Sequence, residues 1–223
     1  MEVATHTVRV NRYLVDVISD DLYIKDKLSN NQEWDGWMRN DIPHMYKPGT
    51  DILDIGGNIG FNALMFSDYG PVHTFEPLFH SVITKNLNQN VLRHPVQMYP
   101  VGLSNVVSNV SMFLPKPQDF GFTNYGGSSM TLSDSHKEQG SVIVPTVRLD
   151  DVYSGTPSIL KIDVEGHEFE VLLGAENTIR THKPSMYVEI FDFDNSPVVP
   201  WLKNLGYNTV VRRPEANYLF INN

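Results

Sequence analysis

Ionisable side chains are most concentrated in residues 161–168, which read Lys-Ile-Asp-Val-Glu-Gly-His-Glu. They follow an apolar run typical of a buried strand, and ligands bind at the carboxyl ends of strands in open α/β sheets. Carboxylates and imidazoles in such a place can take a proton from an acceptor group. The candidate bases are Asp163, Glu165, His167 and, at the end of a later apolar run, Glu189.

Roles other than catalysis are also compatible with this cluster. Asp163 or Glu165 could simply cap the helix that begins near His167, since acidic side chains satisfy the free amides of a helix N-terminus. His167 could equally be an exposed first-turn histidine. Carboxylates with histidine also suit Mg²⁺ or Mn²⁺, but we do not favour a metal, because the loop would have to fold its ligands inward. Asp163 and Glu165 rank first as bases.

A glycine-rich segment at residues 54–60, Asp-Ile-Gly-Gly-Asn-Ile-Gly, separates an apolar run from a helix-like stretch. Its glycines let the backbone turn sharply and approach a ligand, although a plain tight turn would share these traits. A nicotinamide-dinucleotide fingerprint fails, because Asn58 and Phe61 occupy the positions of its second and third glycines. Asp54, two residues before Gly56, instead suits S-adenosylmethionine (SAM), which carries an amino group and a sulfonium.

A further acidic residue, Glu76, ends the next apolar run. An acid at this point can accept hydrogen bonds from both hydroxyl groups of a ribose. A solvated glutamate at a strand end is the alternative. Because the glycine turn follows the preceding strand, we favour the ribose contact.

The elements that must position these residues alternate along the chain from residue 50 onward. Strand-like runs and amphipathic stretches of helix length follow one another, which is typical of a parallel sheet with crossover helices. The predicted strands are 51–55, 72–76, 96–101, 158–163 and 186–191, the predicted helices are 61–69, 77–91, 168–181 and 197–205, and runs 207–211 and 218–221 predict a terminal antiparallel hairpin. We predict a single α/β domain over residues 1–223, with helices on both faces of a mostly parallel sheet.

Two regions fall outside this alternation. Residues 1–49 show apolar alternation and then Trp34, Trp37 and Met38 at helical spacing, so we expect an N-terminal cap over the sheet. Those three side chains are more readily assigned to the core than to a platform for a sugar. Residues 105–150 are an insertion rich in Pro, Gly, Ser and Asn, which we interpret as an arm near the site.

The composition limits the function classes. The 223 residues are 41% hydrophobic and 19% charged, as in ordinary globular proteins, and the net charge of −9 disfavours a duplex nucleic acid partner. The absence of cysteine excludes disulfides, thiolate zinc sites and cysteine nucleophiles. No apolar run approaches the roughly 20 residues of a membrane span, and we find no signal peptide pattern. We therefore expect a cytoplasmic enzyme.

In their order along the chain, these motifs resemble those of FkbM-type methyltransferases. The matching pieces, within residues 48–191, are Asp-Ile-Gly-Gly-Asn-Ile-Gly, Thr-Phe-Glu-Pro, Gly-Leu-Ser-Asn, Gly-Gly-Ser-Ser, Arg-Leu-Asp-Asp and Leu-Lys-Ile-Asp-Val-Glu-Gly-His-Glu. The last piece is highly specific. The resemblance implies a class I, Rossmann-like, SAM-dependent O-methyltransferase that acts on a hydroxyl of a sugar, glycan or related natural product and releases S-adenosylhomocysteine.

The resemblance also implies roles for the residues that match its motifs. The cofactor contacts would be Asp54, Gly56, Gly57, Asn58, Gly60, Glu76, Gly102, Leu103, Ser104 and Asp163, with residues 102–104 at the adenine. The acceptor side would include Lys161 and a closing segment of Gly127, Ser128 and Ser129. The alternatives are a methyltransferase for a non-sugar acceptor and a SAM-binding interaction module without catalysis. The chain could also be part of a larger protein or act in a glycan-synthesis pathway.

Overall fold

The computed structural model describes residues 3–21, 23–115, 117, 123–131 and 140–222. The strands are β1 Thr5–Val10, β2 Tyr13–Ile18, β3 Asp51–Ile55, β4 Val72–Phe75, β5 Val96–Tyr99, β6 Gly102–Leu103, β7 Ser108–Phe113, β8 Ser141–Val147, β9 Pro157–Ile162, β10 Ser185–Glu189, β11 Thr209–Arg212 and β12 Asn217–Ile221. The helices are α1 Ile24–Ser29, α2 Met38–Met45, α3 Phe61–Phe66, α4 His80–Asn88, α5 Leu149–Val152, α6 Glu168–Gly174, α7 Glu176–His182 and α8 Val198–Asn204.

The largest sheet of the described chain has the strand order β11-β12-β10-β9-β3-β4-β5. Pairing is parallel from β10 through β5, and β12 pairs antiparallel with both β10 and β11. The predicted mostly parallel sheet and its terminal antiparallel hairpin are therefore confirmed. The central strand β9 is buried along its whole length, as is usual for parallel strands that are covered on both faces.

Alternate residues of the central strands pack into different clusters on the two faces. Ile52 of β3 packs with the α3 residue Phe66 on one face. Leu53 packs with Leu172 of α6 and Leu202 of α8 on the other. This alternation is the strand period of two. The parallel pairing of these strands places their carboxyl ends at one edge of the sheet.

Helix α4 begins three residues later than predicted, at His80. The Glu76 carboxylate accepts the amides of Leu78 and Phe79, at 2.7 and 3.2 Å, before the helix starts. The acid at the end of β4 therefore organises the connection into α4 as well as the strand end.

The predicted helix 168–181 is two helices, α6 and α7, joined at Ala175. The Asp150 carboxylate accepts the amides of Asn177 and Thr178 at 2.9 Å each. These bonds satisfy the amides of a second helix N-terminus. The break therefore depends on a residue far away in the chain, which a local pattern does not reveal.

The N-terminal region is the antiparallel hairpin β1–β2 followed by α1 and α2. Met38 of α2 is fully buried beside Phe66 and Tyr187. The ring of Trp37 meets that of Tyr187 edge to face, with 5.4 Å between centroids. The region caps one face of the sheet as predicted, and Trp37 and Met38 belong to the core.

Residues 105–150, the predicted insertion, contribute most of a second sheet with the order β6-β8-β7. Within the insertion, β7 and β8 pair antiparallel. A short 3-10 turn, Tyr125–Gly127, lies between them in the chain. Residues 116, 118–122 and 132–139 of the predicted arm lie outside the described residues.

Among the residues that the structure describes, no helix combines the length and the apolar character that crossing a bilayer requires.

Candidate active site

The carboxyl ends of β3, β4, β9 and β10 open onto one cavity of about 220 Å³. Ligands bind at this edge in open α/β sheets. The predicted site residues that line the cavity are Gly56, Gly57, Asn58, Glu76, Gly102, Leu103, Ser128, Lys161, Asp163, Glu165, His167 and Glu189. The fold thus brings together the glycine turn, Glu76 and the ionisable cluster, which are far apart in the chain.

The glycine turn lies tightly against the sheet. Gly56 has φ of 85° and Asn58 has φ of 50°, both in the left-handed region that favours glycine and asparagine. A Cβ atom at Gly56 would lie 1.8 Å from the carbonyl oxygen of Asp163, and one at Gly57 would lie 2.2 Å from Oγ1 of Thr74. Larger residues would push the turn into the cavity.

Glu76 is buried at the end of β4 and joins this turn to the next strand. Its Oε2 accepts the amide of Asn58 at 3.0 Å, while Oε1 accepts the amides of the α4 connection. Burial raises the pKa of Glu76 to about 7, against the effect of these hydrogen bonds. Because carboxylate oxygens have several lone pairs, the side chain can also accept a ligand hydroxyl.

Three predicted cofactor residues, Asp54, Gly60 and Ser104, are not among those that line the cavity. Asp54 is fully buried, and its Oδ2 accepts a hydrogen bond of 3.0 Å from Thr74. Burial raises the pKa of Asp54. These residues lie behind the cavity wall and shape it from there.

The buried Lys161 and the partly buried Asp163 form an ion pair where β9 ends, with 3.0 Å between Nζ and Oδ2. Burial works to lower the pKa of Lys161, but the nearby carboxyl groups of Asp163, Asp54 and Asp35 raise it above its usual value. The lysine therefore stays charged and fixes Asp163. Its predicted contact with an acceptor would compete with this ion pair.

The loop after β9 turns inward through two left-handed residues, Glu165 with φ of 55° and Gly166 with φ of 94°. Oε1 of Glu168 accepts the amides of Val164 and Gly166 at 3.2 and 3.0 Å. From the insertion, Oγ of Ser129 donates to the carbonyl oxygen of Glu165 at 2.5 Å. The loop is therefore held from both sides.

Helix capping does not account for the acids of this loop. His167, the residue before α6, makes no capping hydrogen bond through its side chain. Glu168, not Asp163 or Glu165, accepts the loop amides. Asp163 and Glu165 line the cavity.

Asp163, Glu165 and Glu189 form an acidic cluster, in which one carboxylate oxygen of each lies within 4.8 Å of the others. Burial and the neighbouring carboxylates of Asp163 and Glu168 raise the pKa of Glu165 to about 8. Burial and like charges also raise the pKa of Glu189, whose Oε2 has no hydrogen-bond partner. Such a cluster can accept protons or bind a cation.

His167 lines the cavity beside the acidic cluster and is partly buried. Its Nε2 lies 3.0 Å from Oγ of Ser104, and its Nδ1 lies 3.7 Å from Oε2 of Glu170. Burial lowers the pKa of His167, so the ring is neutral at pH 7. The histidine is neither an exposed helix residue nor free of partners.

Residues 54–209, well over half of the chain, match the family model of the methyltransferase FkbM domain. The chain belongs to the FkbM methyltransferase family.

Two relatives illustrate the range of similarity. Over 140 residues the chain is 34% identical to the hexuronic acid methyltransferase AglP of Haloferax volcanii, covering 59% of this chain and 52% of AglP. The chain thus spans about half the length of that curated relative. The crystal structure of methyltransferase FkbM from Methylobacillus flagellatus superposes with a TM-score of 0.53 at 15% identity, covering 77% of this chain and 43% of the other. This likeness confirms the predicted class I, Rossmann-like fold.

β6 and the insertion provide a further wall of the cavity. Gly102 and Leu103 of β6 line it. Of the predicted closing segment, Ser128 lines the cavity, whereas Gly127 and Ser129 are not among the lining residues. Ser129 holds the loop at Glu165 instead.

Trp34, which the sequence pattern assigned to the core, lines the cavity. The sequence motifs missed a set of lining residues that come from other elements, namely Asp35, Asn62, Tyr125, Glu215 and Asn217. Asn217 lies opposite Glu189 in the β10–β12 pair, one residue before the predicted run 218–221, and the predicted hairpin did not include its pairing with β10. The others reach the cavity through long-range packing and carry no local signal.

Several buried oxygen atoms around the cavity lack a hydrogen-bond partner within the described chain: Asp35 Oδ1, Asn62 Oδ1, Glu189 Oε2 and Asn217 Oδ1. A buried acceptor without a partner costs about 1–3 kcal/mol. The amide oxygens of Asn62 and Asn217 can only accept hydrogen bonds, and the carboxyl oxygens of Asp35 and Glu189 accept them when the groups are ionised. The cavity therefore suits a ligand that brings hydroxyl groups, amino groups or a cation.

Proposed function

We propose that this FkbM methyltransferase uses SAM to methylate a hydroxyl group of a sugar or glycan. The observation that carries the proposal is the single cavity that contains both the Asn58–Glu76 unit and the acidic cluster. Methyl transfer to a hydroxyl needs a nucleoside site beside a group that removes the proton.

The turn and Glu76 would hold the cofactor. The buried carboxylate of Glu76 would accept the ribose hydroxyls, and Gly102 and Leu103 would lie at the adenine. The amino group and the sulfonium are positively charged, so they suit the end of the cavity near Asp163. When bound, SAM supplies a methyl group that its sulfonium already activates.

The acidic cluster would supply the base. Glu165 is the best candidate, because a pKa of about 8 lies near the working pH, where general-base catalysis is most efficient. Its carboxylate would take the hydroxyl proton while the acceptor oxygen forms its bond to the methyl carbon. Lys161 would keep Asp163 in place beside the reacting groups.

The side of the cavity that Trp34, Asp35 and Asn62 line favours a sugar acceptor. The unpaired oxygens of Asp35 and Asn62 would accept hydrogen bonds from sugar hydroxyls, and Trp34 offers an aromatic ring for stacking. The activity named for the Haloferax volcanii relative, methylation of a hexuronic acid, also supports a sugar. Because the chain spans about half of that relative, the acceptor stays part of the proposal.

Titration calorimetry with SAM and S-adenosylhomocysteine would test the cofactor, and methyl-labelled SAM with a panel of glycans would test the reaction. We expect both nucleosides to bind and label to enter at least one glycan. Label on phenols but on no glycan would point to a non-sugar acceptor. Binding with no transfer to any acceptor would leave only a SAM-binding module, and no binding at all would overturn the proposal.

A further inference from the structure

We propose that the acidic end of the cavity binds a divalent cation of the Mg²⁺ or Mn²⁺ type through Asp163, Glu165, Glu189 and Asn217. The sequence alone disfavoured a metal because the loop after β9 would have to fold its ligands inward. The structure has this inward fold, with Glu165 in a left-handed conformation and its carbonyl held by Ser129. The reason for disfavouring a metal is therefore removed.

The three carboxylates are close enough together for one hard cation to bind all of them. Their oxygens lie within 4.8 Å of one another. Oxygen ligands about 2.0–2.1 Å from Mg²⁺ are at most about 4.2 Å apart, so small side-chain movements suffice. Mg²⁺ commonly keeps several waters and uses only a few carboxylates, which fits three protein acids in an open cavity.

Asn217 is independent evidence for a ligand at this place. It lies directly opposite Glu189 in the antiparallel β10–β12 pair, and such partners project from the same face of a sheet. The side chain is 2% exposed and lines the same cavity, yet its Oδ1 has no hydrogen-bond partner. An amide oxygen in this position is a good ligand for a hard cation.

The orientation of the Asn217 amide is fixed by the backbone around it. Its Nδ2 donates to the carbonyl oxygens of Pro214 and Glu215, at 3.3 and 3.1 Å. Exchanging the nitrogen and the oxygen would set acceptor against acceptor, so the oxygen must be the free atom. The chain has thus fixed an unpaired acceptor beside Glu189.

The acidic groups around the site also favour a bound cation. Within the described residues of the cluster, the ammonium of Lys161 is paired with Asp163 and lies 3.0 Å from it. Among the described residues, Glu165 and Glu189 have no cationic partner of this kind; Glu189 is hydrogen-bonded to Asp163, and its free Oε2 is buried. A bound divalent ion would hold these two acids in the ionised form and would give Oδ1 of Asn217 a partner.

Binding of the ion does not depend on the proposed function, but its role does. If the protein methylates a hydroxyl, the ion would orient the acceptor oxygen and lower the pKa of that hydroxyl group. The proton would pass to the carboxylate oxygen of Glu165 that does not bind the ion, as the oxygen–carbon bond forms and the sulfur–carbon bond breaks, which leaves a neutral thioether.

Manganese binding can be measured without any turnover. Protein freed of metal with EDTA would be titrated with MnCl₂ in the presence of S-adenosylhomocysteine, and free Mn²⁺ would be followed by electron paramagnetic resonance. We expect one bound ion per chain. Glu189→Gln should weaken binding at least about tenfold, since even the loss of an outer partner costs 10–100-fold. Glu176→Gln, the same change in the first turn of α7 and away from the cavity, should leave manganese affinity within about twofold.

Asn217 supplies a second, conservative comparison. Asn217→Ala removes the amide oxygen and should weaken Mn²⁺ binding at least about tenfold, whereas Asn217→Asp keeps an oxygen ligand and should restore it. Thermal melting of each variant would show that it is folded. Absence of Mn²⁺ binding to the wild type at millimolar concentration would overturn the proposal, as would equal affinities of wild type, Glu189→Gln and Asn217→Ala.

The two proposals fail in different ways. Bound Mn²⁺ without methyl transfer to any acceptor would leave the metal site standing and remove the proposed function. Methyl transfer by an EDTA-treated protein that binds no Mn²⁺ would support the proposed function and remove the metal site.

Discussion

The backbone amide of Asn58 donates a hydrogen bond of 3.0 Å to Oε2 of Glu76, so the glycine turn after β3 and the end of β4 act as one unit. The same carboxylate orders the start of α4 through its other oxygen. A single buried acid therefore links two strands, the turn and the proposed ribose site. Its protonation state should affect all of them.

The first prediction concerns the pH dependence of cofactor binding. The pKa of Glu76 is about 7 because the group is buried, and a ribose donates hydrogen bonds best to the ionised form. The ionised fraction rises about tenfold between pH 6 and pH 8. The affinity for S-adenosylhomocysteine should therefore rise about tenfold over this range, as measured by calorimetry. Glu76→Gln should bind more weakly and lose most of this slope; an unchanged slope would exclude Glu76 as the group responsible.

The stability of the ligand-free protein should change in the opposite direction. The folded-state pKa of Glu76, about 7, lies above its unfolded value of 4.5, so the folded state binds the proton more tightly. The resulting contribution to stability is complete below pH 4.5 and is lost as the pH rises through 7. Urea unfolding at pH 5 and pH 8 should show this loss in the wild type, and Glu76→Gln should show less of it.

A second prediction concerns the glycine turn. Gly56→Ala places a Cβ atom 1.8 Å from the carbonyl oxygen of Asp163 at a φ of 85°, so the turn must move away from β9. We expect at least a tenfold loss of affinity for S-adenosylhomocysteine and a lower melting temperature. Gly140→Ala is the matched control, because nothing lies within 4 Å of its Cβ position. Equal affinities in both variants would contradict a close-packed turn.

A third prediction concerns the acids that face the cavity. Asp163→Asn and Glu165→Gln should each lower kcat by about 10²–10⁴-fold, the usual contribution of a general base. The melting temperature should change little in Glu165→Gln but fall in Asp163→Asn, because that change leaves the buried Lys161 without its ion-pair partner. Glu176→Gln in the first turn of α7 is the control, because that helix start does not line the cavity. Near wild-type rates in both cavity variants would rule out the cluster as the source of catalysis.

Much of the fold could be predicted because its signals are local. The run Asp51–Ile55 predicts a strand, and the glycines that follow it predict a turn within a few residues. Glu76 directly follows the next apolar run. Since the carboxyl ends of parallel strands share an edge, a sheet of the predicted kind brings these signals together. The family motifs add the loop after β9 for the same reason.

The remaining features depend on contacts between distant parts of the chain. Asp150 divides a predicted helix by bonding to the start of α7. Asp35 reaches the cavity from the N-terminal cap, where no motif marks it. The inward turn at Glu165 is held by Ser129 of the insertion. Patterns of hydrophobicity and turn residues describe neighbours in sequence, so they contain none of these contacts.

The last prediction concerns Lys161, which the sequence placed on the acceptor side and the structure pairs with Asp163 at 3.0 Å. Breaking a buried ion pair by removing one partner typically costs about 3–5 kcal/mol. Because the Asp163 side chain left behind is partly exposed, Lys161→Met should lower the free energy of unfolding by at most about that amount at pH 8, as measured by urea denaturation. Lys203→Met, an exposed lysine in the last turn of α8, is the control and should have little effect.

The pH dependence of this loss distinguishes an ion-pair role from a packing role. Burial raises the pKa of Asp54, and the Lys161 charge works against that rise. In Lys161→Met the pKa of Asp54 should rise further, so the folded state resists losing the proton. The additional loss of unfolding free energy that this causes in Lys161→Met is absent below the unfolded pKa of Asp54 and grows as the pH rises above that value. The destabilisation should thus be larger at pH 8 than at pH 5, whereas a loss that is equal at both values would indicate that Lys161 acts through its methylene groups alone.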